Sequence, residues 1–162
     1  MAVLRDLALK DRLYMEAYRH ARFAPGQVPC TPLRRAVAGA RIAVVTTAGL
    51  RLPDQPPFDL TDRMGDPSFR MIPAEVDLAG LVVDHRSGAW DRSGVLADPD
   101  LALPLTRLRE LGAAGEVGPV ASHHLSFMGS IVGPRRLIDE TAPAAARCLA
   151  EAGAEIALLT PV

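Results

Sequence analysis

The amino-acid sequence predicts an α/β fold: a mostly parallel sheet with flanking helices in three layers, as in Rossmann-like or flavodoxin-like proteins. Residues 41–47 form a near-continuous apolar run, which is typical of a parallel strand covered on both faces. Two later segments, 101–115 and 134–153, repeat apolar residues at helical spacing. Residues 155–160 then return to a strand pattern. This alternation of strands and helices favours a parallel sheet.

The length of 162 residues predicts a single α/β domain. Its first part, residues 1–39, is expected to hold a helix over 2–20 and a proline-rich connector over 24–33. Residues 40–162 are expected to form the core, with truncation at its C-terminal end left open.

The first half of this core is predicted to contain a long loop. Residues 49–73 include five prolines and lack helical periodicity, and a loop of this length is uncommon in a compact domain unless it has a function. A second strand is predicted at 78–84, followed by a polar loop over 85–98.

The second half is predicted to contain two helices. One begins at Pro104 and ends at Gly115, and the other begins at Pro134 and ends at Gly153. A short strand is predicted between them at 117–121.

Composition argues against several classes of function. A net charge of −1 gives no electrostatic basis for binding nucleic acid, and no apolar run reaches the 18 residues of a membrane span. Cys30 and Cys148 do not have the spacing of a disulfide framework or a zinc site. Neither G-x-G-x-x-G nor a P-loop is present, so a nucleotide cofactor is not expected. Without a cleavable signal pattern, the expected location is the cytoplasm.

Polar residues are predicted to gather at one edge of the sheet. Thr46 and Thr47 end the clearest strand, His85 follows the second strand, and His124 and Ser126 follow the third. The carboxyl ends of parallel strands form the usual ligand site of such folds. A histidine there is suited to acid–base chemistry. The alternatives are that the threonines cap the strand end and that Asp84 and His85 belong to a solvated loop.

The loop over residues 65–70 carries a further group. Asp66, Pro67 and Ser68 are typical of a turn. Arg70 has a guanidinium fork that fits a substrate carboxylate.

A bound metal is not expected. A zinc site built from His85, His124 and Asp66 is geometrically imaginable, which leaves a metal-dependent hydrolase using the two histidines as an alternative function. The spacing of these residues, however, matches neither the helix-borne nor the paired-cysteine ligand patterns.

Several segments together resemble the selenoprotein B family of glycine, sarcosine, betaine and D-proline reductases. The resemblance covers most of residues 40–162 in family order. The matching segments are VVTTAGL (44–50), QPPFDL (55–60), GDPSFR (65–70) with residues 72–73, His85, PLTRLREL (104–111) with Gly115, His124 with SFMG (126–129), and ALLTPV (157–162).

The resemblance implies reductive cleavage of a carbon–heteroatom bond, usually C–N, next to a carboxylate. In that family the segment like 159–162 leads into a redox motif that begins with selenocysteine or cysteine, and a dithiol regenerates the attacking selenolate or thiolate. We therefore expect this residue to follow Val162, encoded by a UGA codon, or to lie on another chain. The 162-residue chain alone is then expected to be inactive and to bind no cofactor.

The same resemblance suggests roles for the candidate residues. His85 or His124 would donate a proton to the leaving amine, and Arg70 would hold the carboxylate. The remaining candidates for substrate binding are Thr46, Thr47, Asp66, Ser68 and Ser126. Asp100 and the segment around Trp90 depart from the family pattern, so the substrate is left open.

Two roles within such a reductase are open: the substrate-binding part of the enzyme, or a non-catalytic partner subunit that shapes the pocket. In both, the expected partners are a small carboxylate or amine substrate and other reductase subunits or a thioredoxin-like donor. The strand at 155–160 is also expected to expose an edge, which favours a homo- or hetero-oligomer.

Overall fold

A computed structural model of the protein describes residues 5, 8–10, 12–13, 31–88 and 90–162. The predicted helix over 2–20 and the predicted connector over 24–33 lie largely outside these residues, as does Cys30. The chain divides into two units, Met1–Pro32 and Leu33–Val162. Every helix and strand described below belongs to the second unit.

The central sheet has four strands: β1 (Ile42–Thr46), β3 (Phe69–Pro73), β5 (His123–Phe127) and β6 (Ile156–Thr160). Their order is β3-β5-β1-β6. Strand β1 is parallel to β5 and β6, whereas β3 is antiparallel to β5. Two short strands, β2 (Leu50–Arg51) and β4 (Val82–Val83), form a separate antiparallel pair.

Among the described residues of the second unit, the sheet is accompanied by three α-helices: α1 (Ser93–Ala97), α2 (Leu105–Ala113) and α3 (Ala142–Glu151). A π-helical turn, Leu137–Thr141, leads directly into α3, and short 3₁₀ turns occupy Val37–Gly39, Leu78–Gly80 and Pro99–Leu101. Helices α2 and α3 are each followed by a glycine with positive φ, as predicted for Gly115 and Gly153. No helix in the described part of the chain has the length and apolar character needed to cross a membrane.

The two faces of the sheet belong to different parts of the core. Alternate residues of a strand point to opposite faces, so Val44 packs with Leu105 and Leu108 of α2, whereas Val45 packs with Ala145 of α3. Apolar clusters on both faces and mostly parallel strands confirm the α/β class. The finer Rossmann-like or flavodoxin-like assignment stays a prediction.

The structure differs from the sequence-based prediction in five elements. Two of them are short: residues 50–51, predicted within the loop over 49–73, form β2, and residues 93–97, predicted within the polar loop over 85–98, form α1. Residues 69–73 were predicted within a long loop but form β3. Residues 78–84 were predicted as one strand, but a 3₁₀ turn capped by Asp77 takes up its first half and leaves only β4. Residues 117–121 contribute a single bridge, between Val120 and Ile42, and the real strand begins at His123.

A close backbone approach connects the central sheet to the β2–β4 pair. Gly49 has φ +65°, donates its N–H to the Phe127 carbonyl and accepts a hydrogen bond from the Asp84 N–H. A Cβ at this position would lie 2.0 Å from the Asp84 carbonyl oxygen. Glycine is therefore required here, and the contact sets where the chain after β4 meets the sheet.

Candidate functional site at the carboxyl edge of the sheet

Four polar residues lie in one row across the sheet, near the carboxyl ends of the parallel strands. Arg70 is in register with Ser126, Ser126 with Thr46, and Thr46 with Thr160. Because β3 is antiparallel, its first residues reach the same edge as the last residues of β5. The structure therefore brings Thr46 and Ser126 together, as expected for one edge of the sheet, and Arg70, which was predicted in a loop, lies beside them in β3.

The two inner hydroxyls of this row are engaged within the fold. The Ser126 Oγ accepts a hydrogen bond of 2.7 Å from the Leu50 N–H. The Thr46 Oγ1 accepts one from the Ala48 N–H at 3.2 Å and donates to the Thr160 carbonyl at 3.3 Å. Thr46 and Ser126 are both fully buried. These hydroxyls hold the chain that leaves β1, and their predicted contact with substrate stays a prediction.

Arg70 holds the proline-rich loop in place. Its Nε donates to the Pro56 carbonyl at 2.8 Å, and another guanidinium nitrogen donates to the Pro57 carbonyl at 3.0 Å. The third nitrogen donates to the Ser68 Oγ at 2.9 Å, and the guanidinium carbon lies 4.1 Å from the centre of the Phe58 ring. All three guanidinium nitrogens therefore already bind groups of this chain.

Asp66 organises the turn that precedes β3. Its carboxylate oxygens accept hydrogen bonds from the Ser68 N–H at 2.8 Å and the Asp59 N–H at 2.9 Å. Burial raises the pKa of Asp66, but hydrogen bonding with the Ser68 side chain, these two backbone hydrogen bonds and the charge of Arg70 outweigh it and lower the pKa below its usual value. Asp66 and Ser68 thus form the turn that their sequence predicts, and both hydrogen bonds stabilise this turn and the loop before it.

His85 lies against the carboxyl ends of β1 and β5. It is 4% exposed, and its ring contacts Trp90 edge-on with 4.6 Å between the ring centres. The Nδ1 atom accepts a hydrogen bond of 3.1 Å from the Ser87 N–H. The Nε2 atom is buried next to Gly129, where a Cβ in place of the glycine hydrogen would be 3.2 Å away, and it has no hydrogen-bond partner among the described residues.

Thr47 lies beside Gly129 and contacts Val162. Its side chain lies beside Gly129, on the same side as the His85 Nε2. The Thr47 Oγ1 accepts a hydrogen bond of 3.0 Å from the Val162 N–H. Thr47, Gly129, His85 and Val162 therefore meet at the carboxyl edge, and we refer to these four residues as the edge cluster.

Two loops flank the edge cluster. The N–H groups of Val132 and Gly133 both donate to the Met64 carbonyl, at 2.9 and 3.0 Å. Arg86, next to His85, donates to the Asp62 carbonyl. The loop after β5 and the loop around Met64 are thereby tied to each other and to the His85 segment.

His124 lies elsewhere in the sheet. It is the second residue of β5, and its Nδ1 accepts a hydrogen bond of 3.0 Å from the Val44 N–H of β1. The ring is fully buried, and its Nε2 has no hydrogen-bond partner among the described residues. Three more residues of β5, a rise of roughly 10 Å, separate it from the carboxyl end of that strand. The structure does not bring the two histidines together.

Both histidines are neutral near pH 7. Burial, with a smaller contribution from the charge of Arg92, lowers the pKa of His85. Burial also lowers the pKa of His124 to about 4, with Arg109 and His123 adding to the effect. A neutral imidazole whose Nδ1 accepts a hydrogen bond carries its proton on Nε2. Such a ring donates a hydrogen bond more readily than it gives up a proton, so proton donation to a leaving group stays a prediction.

Arg51 and Asp84 form a half-buried ion pair that the sequence-based reasoning missed. The Arg51 Nε lies 2.6 Å from the Asp84 Oδ2, and both side chains are 15% exposed. Asp84 immediately precedes His85, so this pair supports the segment that carries the ring. The sequence pattern does not reveal the pairing of β2 with β4 that brings these two residues together. The only sign of the ion pair in the sequence was that Arg51 comes shortly after the strand at 41–47.

The described part of the chain contains no group of three His, Cys, Asp or Glu side chains arranged to hold a metal ion. The zinc site considered from His85, His124 and Asp66 therefore has no geometric support. Cys148 lies in α3 as a half-buried thiol.

Comparison with known proteins finds relatives among reductase subunits. The chain is similar to D-proline reductase subunit gamma of Acetoanaerobium sticklandii, with 32% identity over 157 residues, or 97% of this chain and 62% of that protein. It is also similar to sarcosine reductase complex component B subunit beta of Peptoclostridium acidaminophilum, with 29% identity over 110 residues, or 64% of this chain and 24% of that protein.

The chain thus spans about three fifths of the first relative and about a quarter of the second. By their names, both relatives are subunits of reductases. No protein-family model matches the sequence, and neither does any solved structure.

Proposed function

We propose that this chain, which belongs to the B-component family of the glycine, sarcosine, betaine and D-proline reductases, is the substrate-binding part of a multi-component reductase. One observation carries the proposal. The similarity to D-proline reductase subunit gamma extends over 157 residues, or 97% of this chain. Subunits of the same kind are the expected partners, in the cytoplasm and in a homo- or hetero-oligomer.

The proposed reaction is the reductive opening of a C–N bond in a small carboxylate such as D-proline or sarcosine. A selenolate or thiolate attacks the carbon, the C–N bond breaks, and the nitrogen leaves with its electron pair and takes up a proton. A dithiol, either free or in a thioredoxin-like donor, then supplies two electrons and regenerates the nucleophile while it is oxidised to a disulfide. The products carry a new C–H and a new N–H bond, which balances the two electrons and two protons.

The nucleophile of this proposal is a selenocysteine or cysteine outside the 162 residues, placed after Val162 or on another chain. If the chain continues after Val162, the hydrogen bond from the Val162 N–H to Thr47 places the start of that continuation beside the edge cluster.

The test is purification of the reductase from its native host, grown with selenium, by an affinity tag at the N-terminus of this chain. Intact mass and selenium content identify any extension beyond Val162, and co-purifying subunits are identified by mass spectrometry. The preparation is assayed with D-proline and with sarcosine, using dithiothreitol as the reductant. Turnover of either substrate supports the proposal.

A variant of the nucleophile separates the two possible roles of this chain. If the mass spectra place a selenocysteine or cysteine after Val162, its replacement by serine is expected to abolish turnover. If the nucleophile is found on a different subunit, this chain is the non-catalytic partner. Absence of turnover with both substrates, in a complex that contains selenium or a reactive thiol, would overturn the proposed substrate class.

A further inference from the structure

We propose that the Nε2–H group of His85 is the hydrogen-bond donor that holds the substrate carboxylate. The inference rests on the proposed function for the class of ligand. It differs from the role suggested by resemblance, in which a histidine gives a proton to the leaving amine and Arg70 binds the carboxylate.

The direction of the donor is set by the fold. The Ser87 N–H donates to the His85 Nδ1 at 3.1 Å, which places the ring proton on Nε2. Trp90 contacts the ring edge-on, with 4.6 Å between the ring centres, and so limits its rotation. His85 therefore presents one N–H in one direction, toward Gly129 and Thr47.

This donor has no acceptor within the described residues. A buried N–H group without a partner costs free energy, and an acceptor that enters the site removes that cost. A carboxylate oxygen is the strongest acceptor in the proposed class of substrates. Arg70, the alternative carboxylate binder, already directs all three guanidinium nitrogens at groups of its own chain.

Entry to the site requires the turn after β5 to move. Gly129 covers the His85 Nε2, and it has φ +71°. Ser130, the next residue, has φ +50° and is the only non-glycine residue with positive φ in the described part of the chain. This conformation is unfavourable for a serine, so a substrate that displaces the turn also relieves strain. The Gly129–Ser130 turn is therefore the cover of this site.

The first experiment follows the His85 side chain by ¹H–¹⁵N correlation spectroscopy of the full chain at pH 7. We expect the Nε2–H tautomer before any addition. D-proline or sarcosine is expected to shift the Nε2–H resonance in a saturable way, and their methyl esters, which lack the carboxylate charge, are expected not to. An unchanged resonance, or an equal shift with the esters, would overturn the inference.

The second experiment compares variants in the purified complex. His85→Leu removes the donor, and the loss of a hydrogen bond to a charged group is expected to raise KM by roughly 10- to 100-fold. His85→Gln keeps an N–H near the same place but cannot act as an imidazole acid, so we expect a KM within about threefold of the parent protein. His123→Leu, at a half-buried position at the other end of β5, is the matched control and is expected to leave KM unchanged.

The two variants also separate this inference from the proposed function. If the complex turns over D-proline or sarcosine and His85→Leu leaves KM unchanged, the inference fails and the proposed function stands. A loss of kcat in His85→Gln equal to that in His85→Leu would assign proton transfer to His85 and overturn the donor role. Acetate, added in the same NMR experiment, tests the carboxylate site without an amino acid. If acetate shifts the His85 resonance but the complex turns over neither D-proline nor sarcosine, the carboxylate site stands and the proposed substrate class fails.

Discussion

His85 and His124 lie at opposite ends of the sheet but have the same burial and the same pattern of hydrogen bonds. His85 and His124 are both buried, and each has an Nδ1 that accepts a backbone N–H and an Nε2 without a partner among the described residues. Burial lowers the pKa of both. The difference lies in the hydrogen-bond partner. His124, in β5, accepts from Val44 of the neighbouring strand β1, whereas His85 accepts from Ser87, two residues further along its own loop.

This comparison shows that a buried, perturbed histidine is not a catalytic signal by itself. The His124 bond to the Val44 N–H lies inside the sheet and joins β5 to β1, so it is part of the fold. The His85 bond to Ser87 orients a ring at the edge of the sheet, next to Gly129. Position relative to the carboxyl edge, rather than pKa, separates the structural histidine from the candidate site.

The largest expected effect comes from the backbone contact on which the His85 segment depends. Gly49→Ala would place a Cβ 2.0 Å from the Asp84 carbonyl oxygen at a residue with φ +65°. We expect a loss of about 3–5 kcal/mol in the free energy of unfolding, measured by urea denaturation. Gly88→Ala, where a Cβ meets nothing within 4 Å, is the control and should change it by less than about 1 kcal/mol. Equal effects of the two substitutions would refute the close approach.

The second prediction compares the histidines directly. His124→Ala leaves a cavity in the core and an unpaired Val44 N–H in the sheet, so we expect a loss of about 3 kcal/mol. His85→Ala loses the contact with Trp90 and one local hydrogen bond, and we expect about 1 kcal/mol. Urea denaturation of both variants at pH 7 measures the difference. A larger loss for His85→Ala would mean that the structural and edge roles are reversed.

Two of the four strands of the central sheet, β1 and β6, could be predicted from the sequence, and β1 gives the clearest signal because it is buried on both faces. Residues 41–47 are apolar without alternation, and β1 is found there with strands on either side. Strand β3 could not be predicted in the same way. Its pattern, Phe69 and Met71 toward α3 with Ile72 on the other face, is short and follows a proline-rich loop. Its pairing with β5 is a long-range contact that no local pattern reports.

The sequence also predicted where polar residues gather, but not what they do there. Thr46 and Ser126 do lie in one row, and Arg70, which was predicted in a loop, joins them. Their side chains are used by the loops that follow β1 and precede β3, because each loop carries backbone N–H and carbonyl groups that need partners once buried. His124 does not reach the carboxyl edge. Strand β5 starts at His123, so His124 lies near the beginning of the strand and not after its end.

The third prediction concerns the loss of stability at acidic pH that is due to His124. The pKa of His124 is about 4 in the folded protein, against a usual value of 6.5. The unfolded chain therefore binds more protons than the folded one between these values, so stability is complete above about pH 6.5 and is lost as pH falls toward 4. Between pH 7 and pH 5 we expect a loss of about 2 kcal/mol from this residue.

Urea denaturation at several pH values measures this loss, with His124→Gln as the control. Glutamine keeps an acceptor for the Val44 N–H but does not titrate, so most of the pH dependence should disappear. His85, whose pKa is also lowered, contributes in the same direction and accounts for the part that remains. The same pH dependence in His124→Gln and in the parent protein would contradict the assignment.

The smallest expected effect separates a loop contact from a substrate contact at the same edge. Arg70→Lys keeps the charge but loses the fork that reaches Pro56, Pro57 and Ser68, so we expect a loss of about 1 kcal/mol in stability. Arg135→Lys, at a side chain that is 93% exposed, should change nothing measurable. In the purified complex Arg70→Lys should leave KM within about threefold of the parent, because His85 rather than Arg70 faces the carboxylate. A large rise in KM for Arg70→Lys without loss of stability would mean that Arg70, not His85, binds the substrate carboxylate.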